Sequence, residues 1–197
     1  MAKVVNWPDF QRKLNKIPIF TAVNVRREFG VTKQTAALAL HRYAKKGLVE
    51  RLRKGMYIFP STALPSTYVA NRLYEPSYVS LEFALSYHGV IPEAVYTITS
   101  VTPKATRTFH AQGKTFSYRR LKLKAFTGYR IVKQGGFSFN IADPEKAFVD
   151  LTYLRMRIGA KPISRFNKEK LNAEKALQYA RLFTSSKLFA VIKTTLR

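Results

Sequence analysis

The chain has 197 residues, with 35 Lys and Arg against 11 Asp and Glu, a formal net charge of +24. Hydrophobic residues at 46 % are too many for a disordered tail. The lack of cysteine excludes disulfide scaffolds, thiol catalysis and Cys-based zinc sites, and no apolar run approaches the ~20 residues of a membrane helix. The length fits one large domain or two small ones, residues 1–20 carry no secretory apolar segment, and the default compartment is the cytoplasm. A charge this large attracts phosphate polymers by counterion release, so nucleic acid is the leading partner class; the blander alternative is a basic soluble or ribosome-bound protein. The charge is spread along the chain. Residues 1–60 hold 13 basic and 3 acidic residues, and no acid stands between Glu93 and Asp143, where nine basic residues do.

In chain order, Pro8 suits the first turn of a helix running to about Asn15. Thr21 reads as the cap of a second helix, Ala22 to Phe29, stopped by Gly30. Thr32 caps a third, Lys33 to Lys46, with Gly47 past its end. Leu48 to Phe59, broken by Arg53-Lys54-Gly55, reads as a two-stranded hairpin, and Pro60 closes the unit. Three helices and a hairpin in this order form the winged helix-turn-helix pattern, with Phe29 to Thr32 as the turn. At 100° per residue, a stripe centred on Leu40 buries Ala36, Ala37, Tyr43 and Ala44. Gln34, Thr35, Leu38, His41, Arg42 and Lys45 then face outward, offering amide, hydroxyl, cationic and methyl groups of the kinds that read base edges. Lys33 opposes the helix dipole unless a phosphate is near. Arg51, Arg53 and Lys54 cluster at the hairpin, where a wing meets the DNA backbone or minor groove. The competing reading is a solvated helix face and a solubilising edge.

Residues 61–70 read as a short linker, so residues 1–61 form one domain and 62–197 a second. The second is expected to mix a small antiparallel sheet with flanking helices, giving an α+β chain overall. Its predicted elements are helices at 64–73 and 81–88, the latter capped by Ser80, and strands at 95–101, 115–123, 126–133 and 137–141. Gln134-Gly135-Gly136 marks a hairpin between the last two strands. Asp143-Pro144-Glu145 starts a helix with the apolar face Ala147, Phe148, Leu151 and Leu154; further helices follow at 168–182 and 185–194.

Little in the sequence offers catalysis, and the chain is expected not to be an enzyme. Gly113-Lys114-Thr115 lacks the first glycine of a phosphate-binding loop, since Thr108 stands there. His41, His88 and His110 have no metal-ligand spacing, so neither metal nor cofactor is expected, and His88 suits a helix end. Asp143, Glu145 and Lys146 could form a nuclease-like cluster, but capping explains the acids. Phe116 and Tyr118 are set among Arg119, Arg120 and Lys122; they either stack bases or pack on one strand face, and the second reading is preferred. Arg119, Arg120, Lys122 and Lys124 are candidate phosphate contacts.

Three segments carry a family resemblance: KKGLVERLRKGMYIFP from Lys45 to Pro60, SYVSLEFALSYHGVIPE from Ser77 to Glu93, and FNIADPEKAFVDL from Phe139 to Leu151. In this order they resemble the AbiEi family, antitoxins and transcriptional regulators of type IV toxin–antitoxin systems. The resemblance implies a winged helix that binds operator repeats, expected here to be inverted, on double-stranded DNA and represses its own operon. It also implies a second domain that neutralises a nucleotidyltransferase-like toxin without a stable complex. The alternatives are a winged-helix regulator whose second domain senses a ligand or oligomerises, and a nucleic-acid-processing enzyme.

Overall fold

The computed structural model describes residues 5–196. The chain divides into two compact units between Leu64 and Pro65.

The first unit comprises α1 (Trp7–Leu14), α2 (Ala22–Phe29), α3 (Lys33–Lys45), β1 (Glu50–Arg53) and β2 (Met56–Ile58). Each helix has a local reason to begin. The Asn6 carboxamide oxygen accepts the Asp9 N–H at 2.9 Å. Thr21 and Asn24 form a reciprocal capping box, and the Thr32 hydroxyl accepts the Thr35 N–H at 3.2 Å. Gly30 ends α2 with φ of 59°, a left-handed conformation open to glycine. The core is aromatic. Phe10 lies fully buried, its ring centroid 4.8 Å from that of Tyr43 and 5.7 Å from that of Phe20. The Tyr43 hydroxyl donates to the Val5 carbonyl at 2.7 Å. Phe20 and Tyr57 exchange both backbone hydrogen bonds at 2.9 Å, which fastens the hairpin to the segment preceding α2.

The second unit contains α4 (Ser66–Leu73), β3 (Tyr78–Val79), α5 (Leu81–Tyr87), β4 (Ile98–Thr102), β5 (Arg107–Ala111), β6 (Lys114–Arg120), β7 (Tyr129–Gln134), β8 (Phe137–Ala142), α6 (Pro144–Arg157), α7 (Ala173–Arg181) and α8 (Ser186–Leu196). Its strands order as β5-β6-β4-β3-β8-β7. The pairs β5–β6, β3–β4 and β7–β8 are antiparallel, and of these the β7–β8 hairpin is the one the sequence leads one to expect. Two parallel pairings, β4–β6 and β3–β8, join them into a six-stranded mixed sheet larger than the one anticipated. The reason is long-range: β3 is two residues long, too short for a periodic signal, yet it bridges the two halves. The strand β5 also escapes sequence reading, because an edge strand as exposed as this one shows little hydrophobic alternation. Gln112 and Gly113, both at positive φ, turn the chain from β5 into β6, so Gly113-Lys114-Thr115 belongs to a hairpin. The helix expected over 168–182 is shorter, because Asn172 is extended and caps α7 through the Lys175 N–H at 3.0 Å.

The α6 helix is held by a buried polar hub. Lys146 and Asp150 are wholly buried and ion-paired one turn apart, and Asp150 also accepts hydrogen bonds from Tyr78 (3.0 Å) and Ser80 (2.9 Å). Burial draws Lys146 below its ordinary pKa and Asp150 above it, and the pairing opposes both shifts. Ser80 occupies the expected cap position of α5 but makes no capping bond, since its hydroxyl goes to Asp150. Asp143 shows the same substitution at the start of α6. Its carboxylate makes no cap but accepts the Tyr179 hydroxyl at 2.9 Å and pairs with Lys175 at 2.9 Å, tying α7 to α6.

Removing one partner of a buried pair strands the other charge, so Asp150→Ala should destabilise the second unit by about 3–5 kcal/mol. Arg72→Ala, which breaks the exposed Arg72–Glu75 pair, should lower stability by less than about 1 kcal/mol. Urea unfolding followed by circular dichroism separates the two. A second expectation concerns pH. Burial and the Asp143 carboxylate push the Tyr179 hydroxyl from 10.0 up to about 12. Its stabilising share is therefore complete below pH 10.0 and disappears as pH rises to about 12. Tyr179→Phe should show a shallower loss of stability across that window.

Candidate nucleic-acid interface

The exposed face of α3 is displaced from the expected one. Ala36, Ala39, Leu40 and Tyr43 are buried, whereas Ala37 is exposed and Ala44 half-buried. The stripe thus centres midway between Ala36 and Tyr43, about 50° from Leu40 on a helical projection. The cause is Tyr43, whose hydroxyl reaches Val5 and whose ring meets Trp7 and Phe10, pulling the helix round. Gln34, Leu38, His41 and Lys45 then fall within about 30° of the direction facing away from the core. All four are exposed, as are Lys33 and the flanking Arg42. Leu38 is 64 % exposed, a large apolar side chain presented to solvent between polar neighbours. Thr35 differs from its expected role. It is half-buried, its N–H is taken by the Thr32 cap and its hydroxyl lies 3.0 Å from that of Thr32.

The hairpin turns at Lys54-Gly55, with Gly55 at φ of 84°. A Cβ there would meet nothing within 4 Å, so the glycine serves backbone conformation and not close packing. Leu52, Met56 and Ile58 are buried beneath the hairpin, while Arg51 and Lys54 are exposed. Arg53 is half-buried, and its Nε has no hydrogen-bond partner. Neither α3 nor the hairpin tip has an ion pair among the described residues.

In the second unit Phe116 and Tyr118 are buried, the latter donating its hydroxyl to the Ala70 carbonyl at 2.6 Å, so these rings pack against α4 and present no face for stacked bases. Arg119, Arg120, Lys122 and Lys124 are all exposed. Arg119 and Arg120 line a groove of about 660 Å³, together with Arg155 and Arg157 from the end of α6. Lys122 lines an adjoining cavity of about 560 Å³, and Lys124 lines neither. The two α6 arginines are absent from the sequence-based candidates. They stand some 35 positions along the chain, and no local motif links them to β6.

The acidic residues near 143 form no cluster with Lys146. Asp143 and Glu145 share Lys175 at 2.9 and 3.3 Å, while Lys146 turns inward to Asp150. Among the described residues, no group of three His, Cys, Asp or Glu side chains is placed to hold a metal. His88 is at a helix end, but its ring bonds the Ala142 carbonyl of β8 at 2.8 Å, and burial lowers its pKa.

The position of the outward stripe depends on the first turn of α3. Thr32→Ala removes its cap and should destabilise the first unit by about 1 kcal/mol, whereas Thr32→Ser should be close to neutral. Thermal unfolding of the variants checks this.

Among the described residues, no helix is long and apolar enough to cross a membrane. No curated protein matches the chain. A family model does match, and it ends at Pro60, so the segments 77–93 and 139–151 lie outside it. Across residues 13–60, from the end of α1 through α2, α3 and the hairpin, the chain matches the family described as transcriptional regulator, AbiEi antitoxin.

Proposed function

We propose that this protein is a sequence-specific DNA-binding repressor of its own operon and the antitoxin of a type IV toxin–antitoxin pair. In this reading the first unit is a winged helix-turn-helix. The helix α3 enters the major groove of double-stranded operator DNA, and the hairpin is the wing. The second unit neutralises a nucleotidyltransferase-like toxin without a stable complex, and the protein acts in the cytoplasm and is not an enzyme. One observation carries the DNA reading: the stripe Gln34, Leu38, His41, Lys45 is exposed, uncompensated by any acid on α3, and lies inside the segment that matches the regulator family. The antitoxin role is supported by the family description and by the resemblance of the two later motifs.

The side chains divide by chemistry. Gln34 can pair two ways with adenine, Leu38 fits a thymine methyl, and His41 and Arg42 suit guanine acceptors. In this reading Lys33, Lys45, Arg51, Arg53 and Lys54 contact phosphates, and the cap-bound Thr35 is a minor contributor. The test is binding of the full chain to the DNA upstream of its own gene. Gln34→Ala should weaken that site by about 1–3 kcal/mol while leaving random duplex unchanged. Arg53→Ala with Lys54→Ala should instead weaken every duplex and lower the salt slope by roughly one unit for each phosphate no longer neutralised. No preference of the intact protein for its upstream DNA would refute the reading. Co-expression with the neighbouring toxin gene tests the antitoxin half, with growth rescue as the expected result.

A further inference from the structure

The groove of the second unit has a composition that neither a protein core nor an ordinary charged surface requires. Its floor is the face of β4 and β6 opposite α4, bearing Thr99, Ser117 and Arg119, with Thr97 just ahead of β4. Its wall is the C-terminal half of α6, with Leu154, Arg155 and Arg157, and Ile158 just past the helix end. Helices α5 and α6 cover that sheet face over β3, β4 and β8 and stop short of β6, which leaves the opening. Four arginines face one carboxylate, Glu82, and none of the five has an ion-pair partner among the described residues.

We propose that this groove binds a nucleotide, with Arg119, Arg120, Arg155 and Arg157 holding its phosphates. Guanidinium forks match phosphate oxygens two at a time, and crowded cations are relieved by an anion. Two of the four are held in place. Arg155 spends its Nε on the Lys161 carbonyl at 2.7 Å, leaving its terminal nitrogens to a ligand, and the Arg157 guanidinium lies 5.9 Å from the Tyr153 ring centre. The volume of about 660 Å³ falls within the range of small-ligand sites. Val95, Leu154 and the 80 % exposed Ile158 supply an apolar surface for a base, and Glu82 an acceptor for sugar hydroxyls. The adjoining cavity shares Arg120 and Arg157 and adds Lys122, which gives a phosphate chain room to continue. Duplex DNA fits this shape poorly, because its bases are stacked and paired while the groove offers a concave apolar wall beside the cations. The inference is independent of the DNA-binding role of the first unit.

The test is titration calorimetry of the full chain with ATP and CTP, beside adenosine, inorganic triphosphate and a single-stranded pentanucleotide. Saturable one-to-one binding of a nucleoside triphosphate is expected, with adenosine silent and inorganic triphosphate weaker. Arg119→Ala with Arg157→Ala should weaken nucleotide binding by about tenfold or more for each guanidinium removed. Both residues are exposed, so the fold should survive, which circular dichroism verifies. Arg130→Ala with Lys133→Ala removes the same charge from β7, at the far edge of the sheet, and should change affinity less than twofold. Four results would overturn the proposal: no nucleotide binding, equal losses in the two double variants, inorganic triphosphate binding as tightly as nucleotides, or binding of the pentanucleotide alone.

Discussion

Eleven carboxylates must serve thirty-five cations, and where the fold spends those carboxylates decides where positive charge is left over. Several are consumed in holding structure. Asp150 is enclosed with Lys146, and Asp143 and Glu145 are occupied with Lys175. Asp9, Glu28 and Glu75 each neutralise a nearby arginine, and Glu93 sits against Arg165. No ion pair neutralises the outer stripe of α3, the hairpin tip or the groove beside β6, where Glu82 is the single carboxylate facing four arginines. A protein whose net charge is this high must repel itself, and it does so least when the surplus is matched by a polyanion. Cationic surfaces of this kind follow from the unequal placement of a scarce residue type as much as from the abundance of the common one.

The first unit was legible because its signals are local. Thr21, Gly30, Thr32 and Gly47 act within a turn or two of their own positions, and the helix limits they imply agree with the structure to within a residue. Helix rotation was less legible, since it depends on a contact between Tyr43 and Val5 that spans 38 positions. A periodic pattern fixes the width of a buried face but not its centre, and rotation of that centre buries Ala39 on one flank and leaves Ala37 exposed on the other.

In the second unit the contrast is sharper. The Asp143-Pro144 start of α6 and the Gly135-Gly136 hairpin were readable, as short motifs with a single geometric meaning. The destinations of the polar side chains were not. Both Ser80 and Asp143 sit where a cap is expected, and each is claimed by a partner from a distant element. A short two-residue strand such as β3 gains its identity only from the neighbours on either side of it. The groove shares that origin: Arg119 and Arg157 become neighbours through packing of α6, and no window along the chain contains both signals.

The reciprocal bond between Phe20 and Tyr57 has an evolutionary consequence. It clamps the root of the hairpin to the helical core, while the far end turns through Lys54 and Gly55 with open space around the glycine. A lineage can lengthen, shorten or recharge that end without disturbing any packed residue, because exposed turns accept insertion far more readily than anchored backbone. The unit therefore separates what must be inherited intact from what is free to drift. Descendants of one fold can come to differ in the charge and reach of this end by altering a handful of residues beyond a fixed clamp.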